Sequence, residues 1–91
     1  MNTFVCTFAD DTAVANVIGE KISIKERIRQ MASGICGAYV DEDFTSGSDR
    51  IMQVRCTSAE AALFMKLAFA DFPQVHVAEF RVTVHPLPTI Q

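Results

Sequence analysis

Ile51-Met52-Gln53-Val54-Arg55-Cys56-Thr57-Ser58-Ala59-Glu60-Ala61-Ala62-Leu63-Phe64-Met65-Lys66-Leu67-Ala68-Phe69-Ala70 changes its hydrophobic rhythm halfway along. Residues 51–57 read as a strand, with Met52, Val54 and Cys56 on one face and Gln53 and Arg55 on the other, the period of two of a pleated backbone. Thr57-Ser58-Ala59-Glu60 then has the spacing of a capping box, in which a hydroxyl and a carboxylate each satisfy an unpaired backbone donor at a helix start. The helix this predicts runs to about Asp71, before Pro73 ends it. Between Ala61 and Ala70 its one charged residue is Lys66. A helix lying on a single core needs an apolar stripe and not an apolar cylinder, so part of this surface is a candidate for contact with another molecule. Leu63 and Leu67, flanked by Phe64, are the expected core positions, leaving Ala62, Met65 and Phe69 around Lys66 to face outward. Methionine and phenylalanine are frequent contact residues. The alternative is that the tail, residues 86–91, covers the helix completely.

Working outward, residues 35–40 read as the antiparallel partner of 51–57, joined to it by the polar loop Asp41-Glu42-Asp43-Phe44-Thr45-Ser46-Gly47-Ser48-Asp49-Arg50. Downstream, residues 75–84 read as a last strand that stops before Pro86 and Pro88, with Ala78, Phe80, Val82 and Val84 toward the helices. Upstream, Thr3-Phe4-Val5-Cys6-Thr7-Phe8 alternates, so Phe4, Cys6 and Phe8 share the buried face of a first strand. Ser23-Ile24-Lys25-Glu26 is a second capping box, opening a helix over residues 24–33 that Gly34 stops. Residues 12–18 read first as two helical turns that break at Gly19. The alternative is a hairpin in which Gly19-Glu20 turns and Lys21-Ile22-Ser23-Ile24 returns as its second strand. In order this is strand, helix, strand, strand, helix, strand, the βαββαβ pattern of a ferredoxin-like sandwich, with two helices on one face of a four-stranded antiparallel sheet.

With 91 residues, 49% of them apolar and 21% charged, the chain is expected to be a single α+β domain over residues 1–91 that folds throughout. Eight basic and eleven acidic residues leave a net charge of −3, which offers no general attraction to a nucleic-acid backbone. No apolar run nears the roughly 20 residues that span a bilayer, and the start Met1-Asn2-Thr3-Phe4 lacks the basic and apolar regions of a signal peptide. A cytoplasmic location without membrane contact is therefore expected. Cys6, Cys36 and Cys56 are odd in number, widely spaced and set in apolar runs, so they read as small buried hydrophobes and not as a disulfide framework or metal ligands.

Reaction chemistry finds little support. Phosphate loops need glycines that let backbone amides converge, and the four glycines lie in no such setting. A calcium loop starting at Asp41 would need glycine at 46 and glutamate at 52, where this chain has Ser46 and Met52. Nothing selects His76 or His85 as a base. RNA-recognition domains share the order of elements, and Arg50 to Thr57 falls where their third-strand motif falls; yet Gln53 and Arg55 stand where those domains carry aromatic rings, and Phe4 and Phe8 face inward. The expectation is a non-enzymatic protein–protein interaction module without cofactor or metal. Its most specific form is a phage-type inhibitor that binds a host nucleoprotein complex, as an anti-CRISPR protein would. The expected partner-binding residues are Met65, Lys66 and Phe69 on the apolar helix, Asp41, Glu42 and Asp43 at the hairpin tip, and Lys21, Lys25, Arg27 and Arg29 around the first helix. The rival readings are a ligand-sensing or small catalytic homodimer and nucleic-acid binding through the basic first helix.

Overall fold

A computed structural model describes residues 2–15 and 18–81. They form β1 (Asn2–Ala9), β2 (Ala13–Ala15), β3 (Lys21–Ser23), α1 (Ile24–Ser33), β4 (Ala38–Ser46), β5 (Asp49–Cys56), α2 (Ala59–Phe69) and β6 (His76–Arg81). Four strands make one sheet in the order β4-β5-β1-β6, antiparallel at every junction, and β2 pairs with β3 in a sheet of two. The protein is thus α+β, with two helices and a four-stranded antiparallel sheet. A hairpin between the first strand and the first helix interrupts the plain βαββαβ order.

The alternation in β1 buries Phe4, Cys6 and Phe8, and the antiparallel register sets Met52, Val54 and Cys56 of β5 on the same side. Ile24, Ile28 and Met31 of α1 and Ala61, Met65 and Phe69 of α2 join the same apolar cluster. The Phe4 and Phe69 rings meet with centroids 5.6 Å apart, tilted by 56°. α1 has the bounds its capping box predicts: the Ser23 hydroxyl accepts from the Glu26 N–H at 3.3 Å, and the Gly34 N–H reaches the Gln30 carbonyl at 3.1 Å.

Four local expectations are corrected. Ala13, Val14 and Ala15 are a strand and not a helical turn, paired with Ser23, Ile22 and Lys21, while Asn16 and Val17 lie outside the described residues. Val14 alone of the three is buried, which a strand achieves by alternation, and β-branched Val14 and Ile18 favour extended backbone over helix. The polar stretch from Asp41 to Arg50 is mostly strand: β4 continues to Ser46, and Gly47-Ser48 alone makes the turn to Asp49, with Gly47 at φ +63°. Its polarity reflects an edge strand facing water, with a register shift between Val40 and Glu42.

The other two corrections concern what packs under α2. Ser58, not Thr57, caps this helix, accepting from the Ala61 N–H at 3.0 Å, because the Thr57 N–H and hydroxyl both donate to the Gly37 carbonyl, at 2.8 and 3.2 Å. β6 has the opposite parity to that expected. Phe4 pairs with Glu79 and Cys6 with Val77, so Val77 and Glu79 share the helix side while Ala78 and Phe80 face away. β6 is an edge strand, and there a carboxylate on the helix side can meet the Lys66 ammonium, at 2.9 Å, instead of apolar packing. Residues 82–85, with Val82, Val84 and His85, lie outside the described residues.

Candidate functional site

α2 is apolar nearly all round, so its sequence permits more than one inward face, and the fold selects one. Ala61, Ala62, Met65 and Phe69 face the core. Met65 is 0% exposed, whereas Leu63, Phe64 and Leu67 are 54%, 49% and 60% exposed. The expected assignment is therefore inverted: Met65 and Phe69 are core residues, unavailable as contact residues, and Leu63, Phe64 and Leu67 form the outward apolar face. Gly37, in the turn just before β4, lies beside the first turn of α2, where a Cβ built on it would stand 3.5 Å from the Ala61 Cβ, so the alanines meet the closest backbone while Met65 and Phe69 reach the core further along. Two adjacent alanines were the available signal in the sequence.

Lys66 stays at the surface, and its ammonium pairs with Glu79, which also accepts from the Asn2 amide at 2.7 Å. The Lys66 hydrogen bond, followed by that of Asn2, holds the Glu79 carboxyl below its ordinary range.

The fold brings together the two charge clusters that lie apart in the sequence. Asp43 of β4 pairs with Arg29 of α1 at 2.5 Å and with Arg50 of β5, and Arg50 also binds Asp10 at 2.5 Å. Burial would raise the Asp43 carboxyl, but the hydrogen bonds and charges of Arg29 and Arg50 outweigh it and leave the group below its ordinary value. Asp41 pairs with Arg55 at 2.8 Å. Asp41 and Asp43 are thus paired within the protein, as is Arg29. Glu42 is exposed on the sheet side away from the helices. Lys21 and Lys25 carry no ion pair among the described residues, and Arg27 lies apart, its guanidinium 6.0 Å from the centre of the Phe72 ring.

The sheet side away from the helices is not purely polar. Tyr39 and Phe44 of β4 and Phe80 of β6 are exposed there, across the half-buried Val5 and Ile51. The inverted parity of β6 is what puts Phe80 on this side. Among the thiols, burial pushes Cys6 up to about 12 and raises Cys56, with the Glu79 charge adding to the latter, so both stay protonated and unsuited to nucleophilic attack. Cys36 is exposed, against expectation, because residues 34–37 form the turn that ends α1 and not the start of a strand. Among the described residues no three His, Cys, Asp or Glu side chains converge as metal ligands, and no helix is long and apolar enough to cross a membrane. Comparison with protein-family models, with curated proteins and with solved structures found no match.

Proposed function

We propose that this protein acts by binding another protein, without catalysis, through the outward face of α2. The observation that carries the reading is the exposure of Leu63, Phe64 and Leu67, three large apolar side chains side by side on one helix whose opposite face fills the core. In its most specific form the protein is a phage-type, anti-CRISPR-like inhibitor occupying a surface of a host nucleoprotein complex in the cytoplasm; the small size and net charge of −3 support that form. We read the architecture as ferredoxin-like, supported by the sheet order β4-β5-β1-β6 with β2 and β3 as an inserted hairpin.

The test is affinity capture from a host lysate, with and without nuclease, using the wild-type chain and the double variant Leu63→Ser, Leu67→Ser. Both chains should fold, by circular dichroism, because the two leucines lie outside the core. The wild type should enrich one protein assembly under both conditions, and the variant should lose it. An assembly retained by the folded variant overturns the α2 surface, and capture that vanishes with nuclease points to nucleic acid.

A second reading rests on Tyr39, Phe44 and Phe80, whose shared exposed side suits self-association of two sheets. Light scattering separates the two readings. A dimer that Phe80→Ser dissolves favours the second, and a monomer at high concentration removes it.

A further inference from the structure

β6 is one of the two outer strands of the main sheet, and among the described residues only β1 pairs with it. An edge strand presents a row of unpaired N–H and C=O groups, which is a template for another chain. The opposite edge, β4, is blunted: its register shifts between Val40 and Glu42, and Asp41, Glu42 and Asp43 crowd that stretch with acid. β6 has neither device, since its pairing with β1 runs without a shift from His76 to Arg81. Glu79 and Arg81 lie on its helix side, the Arg81 Nε 3.8 Å from a Glu79 carboxylate oxygen, and Phe80 stands on the other side, 57% exposed. Arg81 is exposed too, so its charge is open to a second partner.

We propose that a second copy of this chain pairs antiparallel with the free edge of β6, about a two-fold axis at Phe80, joining the two four-stranded sheets into one. Two identical strands related by such an axis meet at one residue that faces itself, and the choice of that residue fixes every other pair. An axis at Glu79 sets carboxylate against carboxylate, and one at Arg81 sets guanidinium against guanidinium. An axis at Val77 or Ala78 leaves Glu79 facing a valine. Of positions 77–81, Phe80 alone places Glu79 opposite the partner's Arg81 and Arg81 opposite the partner's Glu79, with the two Phe80 rings together on the other side. Opposite charges and aromatic rings directly across a ladder each stabilise it, whereas like charges destabilise it. Complementarity of charge thus selects a second copy as the partner. This interface leaves the outward face of α2 free, and it is distinct from the packing of two sheets face to face, with which it shares only Phe80.

Sedimentation equilibrium of the full chain at low ionic strength tests the proposal, with the fold of every variant checked by circular dichroism. The wild type should dimerise in the micromolar range. Arg81→Glu and Glu79→Lys should each weaken the dimer at least roughly tenfold, since each sets like charges across the axis. An equimolar mixture of the two should restore it, because both pairs are then opposite in sign. Arg81→Gln should fall between the wild type and Arg81→Glu, an ordering that reads the register even if Glu79→Lys, which loses the pairing with Lys66, does not fold. Tyr39→Ser should leave the dimer intact, which separates it from face-to-face packing. A wild type that stays monomeric throughout the micromolar range overturns the proposal. So does a dimer indifferent to Arg81→Glu, a mixture of folded variants that associates no better than either alone, or a dimer that Tyr39→Ser dissolves.

Discussion

Gly37 shows how one position can be demanding for two reasons at once. Its φ is +91°, where side-chain-bearing residues are strained, and a Cβ there would stand 2.8 Å from the Thr57 hydroxyl oxygen. Gly19 shares the backbone demand, at φ +84°, but nothing lies within 4 Å of its Cβ position. Gly37→Ala should therefore cost more than Gly19→Ala, which carries only the conformational part of about 1–2 kcal/mol. Urea denaturation of the two variants checks this, and equal midpoints would show that the Thr57 contact relaxes freely. The glycine is visible in the sequence, but its crowding is not, because Thr57 and Ala61 come from the far side of a hairpin. Met65 and Leu67 carry the same lesson. They are apolar neighbours of similar size on one helix, and only the surface pressed against them separates a core residue from an exposed one.

At the level of elements, both helix starts were legible, one to the residue and one to within a single position. Ser23 fixes the start of α1 locally, since the Glu26 amide its hydroxyl accepts from lies in the helix's own first turn. For α2, Thr57 and Ser58 compete as cap, and the competition is settled by Gly37, 20 residues away, whose carbonyl engages Thr57. Ser58→Ala should thus destabilise the protein by about 1 kcal/mol and speed hydrogen exchange at the Ala61 amide, as loss of a cap does. Thr57→Ala should leave that amide protected. Faster exchange at Ala61 in the Thr57 variant alone would return the cap to Thr57. Long elements were missed where composition misled: β4 carries Asp41, Glu42, Asp43 and Thr45 because an edge strand tolerates polar residues that the sequence presents as a loop.

Across the whole molecule, Arg50 and Asp43 link four parts of the chain. Asp10 after β1, Asp43 in β4, Arg50 in β5 and Arg29 in α1 form one chain of ion pairs. Each exposed pair is worth little alone, so the network's contribution is best read from its titration. In the folded protein Asp43 titrates below its ordinary 3.8, so the unfolded chain binds this proton more readily. The stabilisation it brings is complete above about pH 4 and is lost as the pH falls through the lowered folded value. Urea unfolding of the wild type and Asp43→Asn should therefore show a stability difference at pH 7 that narrows on acidification. A difference that stays constant down to pH 2 would mean Asp43 acts through packing and not through its charge.

The sequence by itself determined what depends on neighbours along the chain: the alternation that buries Phe4, Cys6 and Phe8, the capping box of α1, the switch from strand to helix after Cys56, and the α+β class that follows. The tertiary structure alone decided which side of α2 faces the core, the parity of β6, and the mutual neutralisation of Arg29 and Asp43. The physical reason is common to all three. Where a segment's own pattern allows two arrangements of similar local energy, the choice passes to whatever packs against it, and those contacts join residues far apart in the chain.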